Sequence, residues 1–308
     1  MRIVVYLALL GALVMCFVTR RAARHLSPPV AAVTLAASAL SAATAWAWNL
    51  ALLAGTLIGR MNYVADIGHW SRDALAVHDP VPVATAAIAG VATAAAAGGL
   101  AWCLQRVARE LWSVWSIARH CSTATDDGLL VVNDPAPRAL ALPGIRGRVV
   151  ITTAMVRALS APERRVLLAH ERAHLRNHHG LFRLVVRLAA GVLPVVRPLV
   201  KDCDYQLERW ADESAARAVG DRVLTAQALA RAALAGRGSK QAVPAGALGF
   251  AERGVTSRVS ALLAQPPKSD LRRLGLPVVL VVSTAVLSIE ASRDLEALFE
   301  IAKRLWVA

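Results

Sequence analysis

The sequence predicts a mainly α membrane protein in which about four transmembrane helices carry a cytoplasmic α+β domain with a small sheet. Three observations predict it. Of 308 residues, 56% are apolar, against roughly 45–50% in a soluble domain. Four long stretches lack charge, and one later block mixes short β-branched runs with helical periods.

The stretches come first. Ile3 to Thr19 is uncharged, with Arg2 and Arg20 able to snorkel at its ends. No small-residue cleavage site follows it, and "TRRAARHL" reads as a cytoplasmic stop rather than the end of a signal peptide. Residues 30–59 form the second stretch and residues 81–104 the third, rich in alanine and glycine, which suits close helix packing in lipid. Leu274 to Ile289 is shorter but is flanked by Arg272 and Arg273. A span needs about 20 apolar residues, so the expected spans are about 3–19, 30–59, 81–104 and one within 271–308. Arginines follow the first and third spans and precede the fourth, so the N-terminus is expected outside, residues 107–270 in the cytoplasm, and the tail outside again.

The net charge is +14, with lysine only at positions 201, 240, 268 and 303. In so apolar a chain this excess reads as cytoplasmic loops and lipid contact. No aromatic-interleaved basic strand points to RNA, and no direct nucleic-acid partner is expected. Cys16, Cys103, Cys121 and Cys203 show no paired spacing, which argues against a disulfide framework or a cysteine zinc site. Six tryptophans (Trp46, Trp48, Trp70, Trp102, Trp112 and Trp115) read as interface anchors. Residues 105–120 read as an amphipathic basic helix on the inner leaflet or a continuation of the third span.

In the cytoplasmic segment, Leu129 to Val132 and Val149 to Thr152 read as strands, and "RALALPG" between them as a third. Ser160 and Glu163 then make a capping box, with Pro162 in the first turn. The helix they start carries "LLAHERAHLRNHH". His170 and His174, four apart, stand about 40° from each other on one face, a separation that suits two imidazoles on one zinc. Glu171 stands beside the first, where a general base belongs: this is the HExxH arrangement. His178 lies about 12 Å along the axis from His170 and cannot join both, and position 180 is glycine. His178 and His179 are expected as a solvated helix end.

Residues 181–200 are apolar but carry Arg183, Arg187 and Arg197. They read as a helix or helical hairpin against the membrane or in the domain core. "DYQLERWADESAARAVGD" follows, with Glu208 and Asp212 four apart. Glu208 can supply a carboxylate ligand, and Asp212 can accept the free N–H of a ligand imidazole. The bland alternative is a solvated acidic face paired with Arg209 or Arg217.

"LSAPERRVLLAHERAHLRNHHG" followed by "LERWADESAA" resembles the membrane gluzincins, which include the HtpX/Ste24-type proteases and, closer, the BlaR/MecR-type antirepressor metallopeptidases. The resemblance covers roughly residues 120–220. It implies a gluzincin-like zinc endopeptidase domain holding one Zn2+ per chain through His170, His174 and Glu208, with Glu171 as base and Asp212 orienting a ligand. It implies a protein or peptide substrate, a BlaI-type repressor or the chain itself, and it leaves self-association open. The oxyanion donor stays open among Tyr205, Arg209 and His179. "RALALPG" is expected to offer an edge strand to substrate. Two departures bear on the subtype. Only eighteen residues, Ala291 to Ala308, follow the fourth span, without a Ser-x-x-Lys motif, so no penicillin sensor is expected. Asp204 and Tyr205 stand where HtpX-type proteases have Ser-Arg, which favours the BlaR/MecR side. The alternative class is a non-catalytic membrane scaffold with a structural zinc; an intact Glu171 argues against it.

Overall fold

Residues 2–120, 128–142, 147–237, 251–266 and 268–306 are described by the computed structural model. Five helices come first: α1 (Arg2–Ala23), α2 (Pro28–Gly59), α3 (Asn62–Gly68), α4 (Arg72–His78) and α5 (Val83–His120). Then come β1 (Leu129–Val132), β2 (Ala139–Leu142) and β3 (Arg148–Thr152), followed by α6 (Thr153–Ala158), α7 (Ala161–Arg176), α8 (His179–Val192), α9 (Arg197–Val219) and α10 (Arg222–Arg237). α11 (Ala251–Leu263) and α12 (Gly275–Arg304) complete the described chain. Cys121 and the "PG" of "RALALPG" lie outside the described residues, as does the side chain of Trp115.

Among the described residues, four helical segments are long and apolar enough to cross a membrane: Ile3–Ala23, Pro28–Gly59, Val83–Trp112 and Leu271–Arg304. α2, at 32 residues, is about 48 Å long at 1.5 Å per residue and overshoots roughly 30 Å of hydrocarbon. Among these four segments its partners are α1, α5 and α12. Small residues let the backbones close in: a Cβ at Gly11 of α1 would stand 2.7 Å from Thr284 Oγ1 of α12. Asn49 is fully buried in α2 and donates to Ser288 Oγ of α12 at 2.8 Å.

The segment after the fourth apolar stretch is helical rather than a free tail. α12 continues to Arg304, and α4, with the turn before it, folds back over that extension. Leu75 buries itself against Leu298 and Ala302, and Trp70 packs edge-on to Phe299 while donating to Gly59 O at 2.8 Å. Residues 105–120 continue α5 without a break.

The arginine-bearing stretch forms a hairpin of α8, a 3-10 turn (Pro194–Val196) and the start of α9. α8 has 14 residues, about 21 Å, too short to cross. Val186, Ala189, Leu193, Val196 and Leu199 join Met15, Leu35 and Ala39 in one buried cluster against α1 and α2. α8 also meets α5 backbone to backbone: a Cβ at Gly99 would stand 2.2 Å from Gly191 O. The hairpin thereby returns the chain, and α9 lies along α7.

The sheet has order β1-β3-β2, with β1 parallel and β2 antiparallel to β3. Thr152 N donates to Arg138 O at 3.0 Å. By antiparallel alternation, Leu140 and Leu142 then bond to β3, and the backbone groups of Ala139 and Ala141 point away along the outer edge of β2. α7 packs against β2 and β3 on one side and against α9 and α10 on the other.

Candidate metal centre

α7 starts where the sequence says it should. Glu163 accepts from Ser160 N at 2.8 Å and from its hydroxyl at 2.7 Å, and Arg231 of α10 closes on the same carboxylate. Val166 and Ala173 are buried, which fixes the rotation of α7 and turns His170 and His174 toward α9. α9 ends on Gly220 at φ 76°, a conformation that suits glycine. Along α9, Asp204, Glu208 and Asp212 form a stripe at i, i+4 and i+8.

The two faces converge. His170 Nε2 and His174 Nε2 stand 3.1 Å apart. Glu208 Oε2 lies 3.6 Å from the first and Oε1 3.5 Å from the second. Donors held 2.0–2.1 Å from one tetrahedral ion are about 3.3–3.4 Å apart, so this triangle fits a metal ion. One ligand atom from each of the three residues lies within 4.8 Å of the others. Four carboxyl groups (Glu171, Asp204, Glu208 and Asp212) gather around two guanidiniums, Arg183 and Arg258.

Each imidazole is held from behind. His170 Nδ1 faces Asp212 Oδ1 at 3.1 Å, so its Nδ1–H donates and Nε2 is left to coordinate. His174 Nδ1 stands 2.7 Å from His179 Nδ1. With Nε2 reserved for metal, His174 donates from Nδ1, and His179 accepts as the Nε2–H tautomer. His179 is therefore no solvated helix end. It is fully buried against Trp210, with ring centroids 4.9 Å apart, on the side of His174 away from Nε2. The chain leaves α7 at Asn177, and His178 takes a left-handed conformation, φ 52°, which turns His179 inward.

The other expected residues are less central. Tyr205 is half-buried and faces Gly254 of α11. Arg209 makes no ion pair among the described residues. Glu208 and Asp212 do not pair with Arg209 or Arg217 either. Arg183 Nη2 meets Glu208 Oε1 at 2.5 Å, and its Nε lies 3.3 Å from Asp204 Oδ1. Arg258 Nη1 meets Glu208 Oε2 at 3.0 Å, and its Nε and Nη2 grip Asp212 at 2.7 Å each. Sequence reasoning missed both arginines. A charge in the apolar α8 has to find a partner, which was a readable signal for Arg183. Arg258 gave none.

Electrostatics divide the roles. Burial alone would raise Glu208 and Asp212, but Arg258 overrides it and holds both below the ordinary carboxylate range. Burial would lower His170, yet its contacts with Asp212 and Glu208 push it up to about 10. Burial takes His174 well below its ordinary value. Burial and then Arg183 bring His179 down to about 3, so it stays neutral and able to accept. Burial raises Glu171, and the nearby His170, followed by Arg183, limits the rise.

The model of Peptidase family M48 matches residues 107–196. The match supports an M48 metallopeptidase family for this chain, and with it a metal-dependent hydrolase. It includes His170, Glu171 and His174 and stops before α9, so Glu208 stands on geometry alone. No curated protein and no solved structure matches the chain.

Proposed function

We propose that the protein is a zinc-dependent integral-membrane endopeptidase of the BlaR/MecR antirepressor type. It cleaves cytoplasmic or membrane-proximal protein segments. The observation that carries this reading is the meeting of three elements: the His170–His174–Glu208 triangle, Glu171 beside it, and the β2 edge strand against which α7 packs. Two imidazoles and a carboxylate are a donor set suited to zinc.

A bound zinc ion would supply Lewis acidity toward a carbonyl and a lowered pKa for water. The chain supplies the rest. Ala139 and Ala141 offer outward backbone groups to which an extended peptide can add as a strand. Glu171, its proton affinity raised by burial, removes a proton from the attacking water and returns it to the leaving amine. Asp212 and His179 hold the two imidazoles in their coordinating tautomers. The substrate would be a repressor of the BlaI type or the chain itself.

The arginine-rich ends of α1 and α5, and Arg272 and Arg273 before α12, support a cytoplasmic catalytic side and an N-terminus outside. The cell membrane of a bacterium is the setting this reading implies. The hairpin packed on α1 and α2 supports a centre near the bilayer and hence substrates close to the membrane.

Elemental analysis of the purified protein, beside proteolysis of an unfolded substrate, tests the proposal. One zinc per chain is expected, kept in an inactive Glu171→Gln variant and lost in Glu208→Gln. Absence of metal from the native chain, or full proteolysis by Glu171→Gln, overturns it.

A further inference from the structure

Arg258 belongs to α11, which lies beyond the matched residues 107–196 and packs on α9 and α10. Its side chain is only 8% exposed. Every nitrogen of the guanidinium is engaged. Nε and Nη2 fork onto the two oxygens of Asp212 at 2.7 Å each, and Nη1 reaches Glu208 Oε2 at 3.0 Å. The two carboxylates it joins have different tasks at one histidine. Asp212 Oδ1 holds His170 Nδ1 at 3.1 Å, while Glu208 Oε2 lies 3.6 Å from His170 Nε2.

Without a cation between them, a half-buried and a buried carboxylate at i and i+4 on α9 would repel each other and turn away from the common point. A lysine ammonium would cancel the repulsion as a point charge. Only a planar guanidinium forks across one carboxylate while a third nitrogen fixes a second in the same plane. Arg183 does not replace it, because it meets the other oxygen of Glu208 and no oxygen of Asp212 among the described contacts.

We propose that Arg258 is a positioning residue of the metal centre: it locks the carboxylate that orients His170 and the carboxylate that completes the ligand set into one rigid unit. α11 is then a working part of the site, brought to it from the far side of residues 238–250. This inference rests on the metallopeptidase reading above.

The test uses the full-length protein in detergent and measures Zn2+ affinity by competition with a chromophoric chelator. The Co2+ absorption spectrum serves as a readout of ligand geometry. Arg258→Met is expected to weaken Zn2+ binding by about 10- to 100-fold, the usual range for partners behind metal ligands. Arg258→Lys, which keeps the charge and loses the fork, is expected to weaken it several-fold and to shift the Co2+ bands. Unchanged affinity and an unchanged spectrum in Arg258→Lys would overturn the positioning role. Should Arg258→Met fail to fold, Arg258→Lys decides alone. A native chain that binds no metal, or a Glu208→Gln variant that binds as tightly as native, would instead sink the underlying metallopeptidase reading.

Discussion

The two sides of the centre are built from the same residue type and finished differently. His170 and His174 share one helix and one turn of spacing, yet His170 leans on a carboxylate and His174 on a second imidazole. The carboxylate is itself clamped by a buried arginine. The imidazole is packed against Trp210, and its Nε2 is buried without a protein partner among the described residues. Hydrogen bonds to a charged group are roughly twice as strong as those between neutral groups. The His170 side should therefore be the firmer of the two, and it should be the side that responds to protons.

The largest break in this asymmetry should come from Asp212→Asn. The amide can still accept from His170, so the tautomer survives, but the charge is gone and Arg258 loses its fork. Zn2+ affinity should fall about 10- to 100-fold. Chelator competition checks this, and a fall of less than about threefold would mean that the carboxylate does no more for His170 than a neutral acceptor does.

How much of this asymmetry was legible in the sequence depends on the distance over which a contact forms. His170, Glu171 and His174 declare themselves because helical periodicity fixes their relation within four residues. Glu208 and Asp212 are nearly as plain, since the same period sets them on one face. His179 was misread because the helix was carried straight through residues 177–179, where the backbone turns left-handed at a non-glycine residue that nothing local demands. Arg258 was invisible: its contact with Asp212 spans 46 positions, and an arginine in a short helix looks the same whether it faces water or a buried carboxylate. In the membrane part the apolar runs marked where helices lie. They did not show that α12 would run on to Arg304, because Glu290, Arg293 and Asp294 read as the end of a span while still being good helix residues.

Protons sharpen the same comparison. His170 is pushed up to about 10, whereas His174 and His179 are held down. At neutral pH the first carries a proton that must leave before Nε2 can coordinate, and the second does not. The sign follows: metal binding releases about one proton, so affinity rises with pH below about 10, by up to roughly tenfold per unit, and falls with acidification. Zn2+ affinity measured between pH 6 and 8 checks the slope. In Asp212→Asn the slope should flatten, because one of the contacts that raises His170 is gone. A slope unchanged by that substitution would place the proton elsewhere.

The smallest effect belongs to His179, and it is the one that separates hydrogen bonding from packing. His179→Phe keeps an aromatic ring beside Trp210 but leaves His174 Nδ1–H without an acceptor in a buried place. His179→Gln loses ring area but can accept through its amide oxygen. Losing a neutral acceptor costs about as much as exchanging a charged one for a neutral one, but here the Arg258 fork on Asp212 stays intact, so the expected loss is smaller than in Asp212→Asn, roughly three- to tenfold in Zn2+ affinity for His179→Phe. His179→Gln should lie closer to native in affinity even where its melting temperature is lower. The reverse order, with His179→Phe binding zinc as native and His179→Gln binding weakly, would mean that His179 serves His174 by filling space, and the tautomer argument on that side of the centre would have to be abandoned.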